Sequence, residues 1–268
     1  MKKIFTLLVG IPVIIAACST NAVTGRKQLS LFPESTLQAE AVNQYRSFLS
    51  ENKVVSSSSS KDAEMVRRVG SRIATAITTY YRGKGLAKEL EGYKWEFNLV
   101  QDNQVNAWCM PGGKVVVYTG LLPVTQNEAA LAIVLGHEIL HAVAQHGNER
   151  MSQVALAQGL EVAGNVFTQN NQKANSIFNS VFAPGAQVGV LLPNSRKQEY
   201  EADRFGMIFA AMAGYNPNEA VPFWQRMASA SQGNKPPEFL SSHPADDSRI
   251  ANIKKYLPEA LKYYKPRK

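Results

Sequence analysis

The hydrophobic pattern is strongest between Thr125 and Arg150, where the chain reads TQNEAALAIVLGHEILHAVAQHGNER. Drawn as a helix, this stretch is apolar on nearly every side, which is typical of a helix that is buried all round. Thr125 and Glu128 are three residues apart and form a predicted capping box at its start. We expect the rest of the chain to pack around this helix.

Two amphipathic helices are predicted before it. The first covers residues 36–49, the second ends near Tyr81, and a polyserine linker at 56–60 separates them. Their apolar positions recur at helical spacing and are Leu37, Ala41, Tyr45 and Phe48 in the first helix and Met65, Val69, Ile73, Ile77 and Tyr80 in the second.

The apolar period then changes to that of strands. Residues 93–100 alternate between apolar and polar positions, residues 114–118 predict a second strand, and residues 106–113 join the two. An extended peptide can add to the edge of such a sheet beside the buried helix. An ordinary hairpin connection with a Pro-Gly-Gly turn explains the same residues. The sequence alone does not decide between a substrate-binding edge and such a connection.

Chemistry enters with His137, Glu138 and His141. Residues four apart share one face of a helix, so both imidazoles can reach one ion while Glu138 lies beside it. Two neutral imidazoles suit Zn²⁺, and the carboxylate can take a proton from a metal-bound water. The chain has only four histidines in 268 residues, so chance explains this spacing poorly. His146 would point about 180° away from His137 on a continuous helix, so we predict a surface or capping residue there.

A third ligand is sought in the helix predicted from Ser195 to about Gly214. Glu199 and Asp203 are four apart and share a face, so that one can bind the metal and the other can orient a ligating histidine. A surface acidic pair is the alternative, which spacing alone favours. Glu201 points elsewhere and is predicted to be solvated.

The beginning of the chain has the features of an export signal. Lys2 and Lys3 precede an apolar run that ends Ile-Ala-Ala-Cys18, which resembles the lipobox of bacterial lipoproteins. We therefore predict a signal peptide at 1–17, lipidation of Cys18, an irregular tether at 18–35 and one domain at 36–268. A plain signal peptide is the alternative. Cleavage would lower the formal charge from +8 to +6 by removing two lysines.

Several classes of protein and site are disfavoured. Cys109 is predicted to be a small buried hydrophobe rather than a reactive thiol. Polar residues interrupt the apolar stretch after Arg150, so a packed helix is preferred to a membrane hairpin. Residues 168–194 are interpreted as a mobile segment over the cleft or as a plain loop. The sequence pI is about 9.4, but the charges are dispersed, so nucleic-acid binding is not expected.

Together, His-Glu-x-x-His at 137–141 and the run SRKQEYEADRFG from Ser195 resemble the metalloprotease family that includes HtpX, the CAAX prenyl proteases and the periplasmic lipoproteins BepA and LoiP. The resemblance implies that Glu199 is the third zinc ligand and that Asp203 supports a ligand from outside. It implies that His243, in Ser-His-Pro followed by Arg249, lies near the metal, to stabilise the transition state or to occupy the open site at rest. Residues 106–113 resemble the family's strand-edge motif, whose candidate substrate-binding residues are Asn106, Ala107, Trp108, Gly112 and Gly113.

The resemblance implies an α+β, mainly helical, zincin-like domain with a small sheet beside the cleft. The expected activity is zinc-dependent peptide hydrolysis with Glu138 as general base, in quality control of unfolded or misassembled envelope proteins. Ser19 after the lipidated cysteine resembles proteins sent to the outer membrane, and outer-membrane assembly machinery is the expected partner. The alternative is a periplasmic chaperone or assembly factor whose protease site is latent. The chain has no predicted spans like those of HtpX, so a CAAX substrate is not expected.

Overall fold

The computed structural model describes residues 18–159, 172–182, 195–230, 237–243 and 247–266. The predicted signal peptide at 1–17 and parts of the 168–194 segment lie outside these ranges. The helices longer than one turn are α1 Glu34–Glu51, α2 Lys61–Gly83, α4 Glu128–Val143, α5 His146–Ala157, α6 Gln172–Phe182, α7 Ser195–Met212, α8 Ala220–Ala230 and α10 Asp247–Leu261, and the short ones are α3 Leu122–Thr125 and α9 Phe239–Ser242. The strands are β1 Cys18–Thr20, β2 Lys27–Leu29, β3 Val54–Val55, β4 Glu96–Val100, β5 Ala107–Met110 and β6 Lys114–Tyr118.

A four-stranded mixed sheet has the order β3-β4-β6-β5. β4 and β6 are parallel, with Glu96 opposite Lys114, whereas β5 runs antiparallel to β6, with Trp108 opposite Val116. Every residue of the central strand β6 is buried, as a strand covered on both faces requires. The connection between the two predicted strands thus contains a third strand, β5, which lies at the sheet's edge. The mainly helical α+β architecture is confirmed.

Helix α4 lies at the centre, and every residue from Ala130 to Val143 is buried. It crosses α7 very closely. A Cβ added to Gly136 would lie 2.5 Å from the carbonyl oxygen of Gly206, and one added to Gly206 would lie 2.8 Å from the carbonyl carbon of Gly136. Only hydrogen side chains fit at this crossing, and the contact sets the distance between the two helices that carry the predicted site.

The start of α4 differs from the prediction. Asn127 caps the helix by accepting a hydrogen bond from the Ala130 amide, at 2.8 Å. Thr125 instead ends the short helix α3, and Gln126 between them is left-handed with φ 66°. The capping-box prediction was wrong because the chain reverses direction at Gln126 before α4 begins.

Residues 18–35 are not an irregular tether. Strands β1 and β2 form an antiparallel hairpin, with Cys18 opposite Leu29 and Thr20 opposite Lys27. Asn21 in its turn is buried and donates to the Ala144 carbonyl at the end of α4. Asn21 and Gln28 both donate to the Ala144 carbonyl, and these bonds hold the hairpin against the end of α4.

Two other expectations meet described residues. Part of the predicted loop at 168–194 is helix α6, whose buried residues include Ile177 and Phe178. The apolar stretch predicted to be a packed helix after Arg150 begins inside α5, which ends at Ala157 with Gln158 as its C-cap, and residues 160–167 of that stretch lie outside the described ranges. Within the ranges given above, no helix has the length and apolar character that crossing a bilayer requires.

Candidate metal centre

Four buried side chains converge between α4, α7 and the end of α9. They are His137, His141, Glu199 and His243, and their ligand atoms all lie within 4.8 Å of one another. Nε2 of His137 lies 3.1 Å from Nε2 of His141. Glu199 places Oε2 3.4 Å from His137 Nε2 and Oε1 3.3 Å from His141 Nε2. The structure therefore brings together the three predicted ligands and the late histidine.

His243 joins this cluster through Nδ1. That nitrogen lies 2.9 Å from Glu199 Oε2 and 3.2 Å from His137 Nε2. The residue follows α9, where its amide donates to the Phe239 carbonyl. The cluster thus presents three imidazole nitrogens and one carboxylate, which is a donor set that Zn²⁺ accepts.

The electrostatics of the cluster favour a cation. Burial alone disfavours an ionised Glu199, but His243, His141 and Arg249 hold the pKa of its carboxyl well below the usual range. Burial also opposes a charge on His137, yet hydrogen bonds to Asp203 and Glu199 raise its pKa to about 9. Burial lowers the pKa of His141 well below its ordinary value, which keeps a ring nitrogen free for a metal.

Asp203 supports His137 from the side away from the cluster. Its Oδ1 lies 3.0 Å from His137 Nδ1, so the imidazole can donate there while Nε2 faces the other ligands. Arg249 donates hydrogen bonds from Nε and Nη2 to the same carboxylate, each at 2.8 Å. The predicted position of Asp203 behind a histidine is thus what the structure shows.

Arg249 is a site residue to which the sequence assigned no role. It is 2% exposed, and its guanidinium lies 3.5 Å from the ring centroid of Trp224. Its Nη1 also reaches Glu199 Oε2 at 3.1 Å. Arginine tolerates this burial because two carboxylates and an aromatic face surround it. Its only sequence signal was its place six residues after His243.

Glu138 lies beside the cluster and is 4% exposed. Burial raises the pKa of its carboxyl, while His243 and His137 oppose that shift. Oε1 is buried and has no hydrogen-bond partner among the described residues, and His243 Nε2 lies 3.4 Å from it. A buried carboxylate oxygen without a partner fits a site built for a metal-bound water, so the residues present fit the zinc that the motif implies.

His146 is not at the surface. It is fully buried, with Nδ1 3.0 Å from His141 Nδ1 and Nε2 3.0 Å from Glu201 Oε2. The prediction assumed a continuous helix, but α4 ends at Val143 and Gln145 is left-handed with φ 54°. That turn brings His146 back against His141. His146 is not one of the four residues of the ligand cluster.

Glu201 is not a solvated side chain either. The side chain is 17% exposed and accepts from His146 and, at 2.7 Å, from Arg26 Nε. Arg26 comes from the turn of the N-terminal hairpin. Helix geometry correctly excluded Glu201 from the ligand face, but it could not show that the hairpin covers the other face.

The edge strand β5 packs against α4 beside the cluster. Asn106 is buried and its side chain accepts from the Ala107 amide at 2.9 Å. The Trp108 ring packs edge-on against Tyr45 and Phe48, on the face of the sheet that α1 covers. These contacts leave Trp108 partly buried, and its contact with substrate stays a prediction.

Gly112 and Gly113 form the turn after β5, with φ 77° and 81°. Their carbonyls accept from the Lys94 and Glu96 amides, and a Cβ on Gly113 would lie 2.5 Å from Trp95. These contacts give both glycines a structural role, and substrate contact stays a prediction. Cys109 is partly buried rather than fully buried, and burial raises the pKa of its thiol well above the usual value.

Comparison with known proteins agrees with this geometry. Residues 60–257 match the family model described as Peptidase family M48. The chain is 34% identical over 206 residues to the mitochondrial metalloendopeptidase OMA1 of Schizosaccharomyces pombe, covering 74% of this chain and 59% of that protein. It is 34% identical over 165 residues to the beta-barrel assembly-enhancing protease of Yersinia pestis, covering 60% and 34%.

A third relative, OMA1 of Saccharomyces cerevisiae, is 35% identical over 182 residues, which cover 65% of this chain and 50% of that protein. The chain thus spans about half the length, or less, of these curated relatives. The family match nevertheless covers most of the chain and includes the whole cluster. This chain belongs to peptidase family M48, a family of zinc-dependent metallopeptidases.

Proposed function

We propose that this protein is a zinc metalloendopeptidase that cleaves unfolded or misassembled proteins of the bacterial cell envelope. The observation that carries the proposal is the buried cluster of His137, His141, Glu199 and His243 with Glu138 beside it, whose buried Oε1 has no hydrogen-bond partner among the described residues. A purely structural zinc site would have no need of that carboxylate.

His137 and His141, through Nε2, and Glu199 would hold the zinc, with Asp203 orienting His137. When bound, zinc supplies Lewis-acid polarisation of the scissile carbonyl and of a water. Glu138 takes the proton from that water and passes it to the leaving amine. Burial raises the pKa of this carboxyl above its ordinary value.

The substrate is proposed to lie as an added strand along β5, which pairs with β6 alone in the part of the chain that the structure describes. Main-chain atoms of residues 106–110 would form hydrogen bonds with an extended peptide. Such binding depends on the peptide backbone rather than on its side chains, so it suits unfolded substrates. Alternate N-methylation of a cleaved peptide tests this. Methyl groups on the nitrogens that face the strand should raise KM, and methylation at the intervening nitrogens should not.

The envelope setting rests on the export signal and Cys18, and the outer membrane rests on Ser19. Two relatives are named as beta-barrel assembly-enhancing proteases, one of them as putative, which supports outer-membrane assembly machinery as a partner. Other relatives are named mitochondrial metalloendopeptidases, so the family match supports the peptidase activity, and the sequence features at Cys18 support the envelope setting. The lipid on Cys18 would hold the protein at the membrane, facing the periplasm.

A second candidate function is a chaperone or assembly factor with a latent protease site. The position of His243 favours it, since Nδ1 is close enough to Glu199 and His137 to complete a four-ligand set. In that state no place is left for water. His243 would otherwise help to hold the developing oxyanion during hydrolysis.

The test is cleavage of unfolded casein by the full chain, with and without a zinc chelator. The active-enzyme proposal expects cleavage that the chelator stops and added Zn²⁺ restores. If zinc is bound but casein is intact, His243→Ala decides between the candidates. Cleavage gained by that variant indicates latency, and its continued absence contradicts the peptidase proposal.

A further inference from the structure

A line of polar contacts leads away from His141 on the side opposite the ligand cluster. We propose that His146 and Glu201 are positioning residues that hold the His141 imidazole for metal binding, and that Arg26 of the N-terminal hairpin fixes Glu201 in place. The inference rests on the proposed function, in that it takes His141 Nε2 as a zinc ligand.

The proton positions in this line follow from its ends. With Nε2 of His141 bound to a metal, Nδ1 must carry a proton and needs an acceptor. Nδ1 of His146 lies 3.0 Å away and accepts it only if His146 carries its own proton on Nε2. That Nε2 faces Glu201 Oε2 at 3.0 Å, and a carboxylate requires a donor there. The reverse tautomer would set a lone pair against the carboxylate, so one arrangement satisfies all three groups.

Arg26 closes the line. Its Nε donates to Glu201 Oε1 at 2.7 Å, while Nη1 and Nη2 grip Glu149 of α5, also at 2.7 Å. Gln198 of α7 donates to the same Glu149 at 2.6 Å. The guanidinium therefore ties α5 to α7 and compensates two carboxylates, of which Glu149 is 2% exposed.

The other ligating histidine has a matching arrangement. His137 meets the carboxylate of Asp203 directly, and Arg249 grips that carboxylate. His141 meets the carboxylate of Glu201 through His146, and Arg26 grips it. The hydrogen-bond chain behind each imidazole thus ends at a carboxylate that is bound by an arginine. Since outer partners set the tautomer and orientation of a ligating histidine, the two lines do the same work on opposite sides of the site.

The test measures zinc affinity by competition with a chelator in the full chain. Glu201→Ala and His146→Ala should each weaken zinc binding by about 10- to 100-fold, as loss of an outer partner typically does. His146→Asn should recover part of the loss, because its side-chain oxygen can accept from His141 Nδ1. The absorption bands of the Co²⁺-loaded protein should shift in the alanine variants, since they report ligand geometry.

Glu259→Gln is the matched control. It breaks the bidentate ion pair between Glu259 of α10 and Arg204 of α7, and neither residue contacts His141, His146 or Glu201, so zinc affinity and the cobalt spectrum should stay at wild-type values. If His146→Ala does not fold, Glu201→Ala decides, because that side chain is partly exposed. A folded Glu201→Ala with wild-type zinc affinity and cobalt spectrum overturns the inference.

Nuclear magnetic resonance provides a second readout that needs no catalysis. In the zinc-loaded wild type, one imidazole N–H should show coupling to Nδ1 of both His141 and His146 across the hydrogen bond. Absence of that shared proton also overturns the inference. A wild type that binds zinc and cleaves casein while these tests fail would leave the proposed function intact, whereas a wild type that binds no zinc would overturn both.

Discussion

At the scale of single residues, the site depends on which atom of each side chain faces the cluster. His137 and His141 both turn Nε2 inward and use Nδ1 for a protein partner. Glu199 reaches both of them, one with each carboxylate oxygen. Glu199 is the one anionic group among the four cluster residues, so it would contribute most to the attraction of a metal cation.

Glu199→Ala should therefore lose zinc more severely than any outer-partner variant, by well over about 100-fold in affinity. It also removes the carboxylate that Arg249 and His243 face. Metal content after dialysis against a weak chelator measures the effect, with Glu259→Gln as the control. Stoichiometric zinc in folded Glu199→Ala would refute the ligand assignment.

A second residue-scale prediction concerns Glu34 in the first turn of α1. Burial raises the pKa of its carboxyl to about 8, although a hydrogen bond to Gln38 counteracts part of the shift, and Oε1 has no partner. The unfolded chain loses this proton near pH 4.5. The folded state thus binds more protons between these values, so this contribution to stability is full below pH 4.5 and is lost as the pH rises to about 8.

Glu34→Gln should remove this pH dependence, which is on the order of 1 kcal/mol per pH unit inside that window. Urea unfolding at several pH values measures the slope. The variant should be the more stable protein at pH 8 and close to wild type at pH 4.5. Parallel curves for the two proteins would contradict the account.

Helical spacing was sufficient to predict His137, Glu138 and His141, because all three lie inside one regular helix. It was not sufficient for His146, since the left-handed Gln145 changes the direction of the chain between His141 and His146. Glu199 and Asp203 needed the family resemblance, because their spacing alone favours a surface acidic pair. Arg26 had no signal, because its partners Glu149 and Glu201 are more than a hundred residues away.

At the scale of elements, the crossing of α4 and α7 decides whether the ligands meet. Gly136 lies next to His137, and Gly206 lies three residues after Asp203, so the close backbone contact is built into the ligand-bearing turns. The long helices α1 and α2 were predictable from their apolar faces. The three-residue strands β1 and β2 were not, because so few residues carry no readable period.

Gly206→Ala should push α7 away from α4, because its Cβ would meet main-chain atoms of Gly136 and His137 at 2.8 Å. Overpacking of this kind costs about 1–3 kcal/mol of unfolding free energy, and zinc affinity should fall with it. Gly83→Ala is the control, since nothing lies within 4 Å of its added Cβ. Equal stability and zinc affinity in the two variants would show that the helix crossing can accommodate a methyl group, and would contradict this prediction.

At the scale of the whole molecule, the N-terminal segment both leads to the proposed lipid anchor and contacts the catalytic domain. Cys18 is exposed in β1, and Arg26 in the same hairpin reaches α5 and α7. An anchored chain would thus hold its catalytic domain close to the membrane without a flexible spacer. The proposed position of the lipid anchor comes from the sequence alone. The packing of the hairpin could be seen only in the folded structure.

Cys18→Ser should abolish incorporation of labelled palmitate in a bacterial host and should release the protein from the membrane fraction. Cys109→Ser is the matched control, because it removes the other cysteine of the chain and should leave labelling unchanged. Labelling that survives in Cys18→Ser would contradict the lipoprotein assignment.

The most direct measurement for the whole account compares wild type with Glu138→Gln in zinc content and casein cleavage. The amide keeps the size of the side chain but cannot take a proton, so both proteins should carry about one zinc per chain. The wild type should cleave, and the variant should lose about 10²- to 10⁴-fold or more in kcat. Zinc in both proteins with equal cleavage would contradict the role of Glu138 and the mechanism built on it.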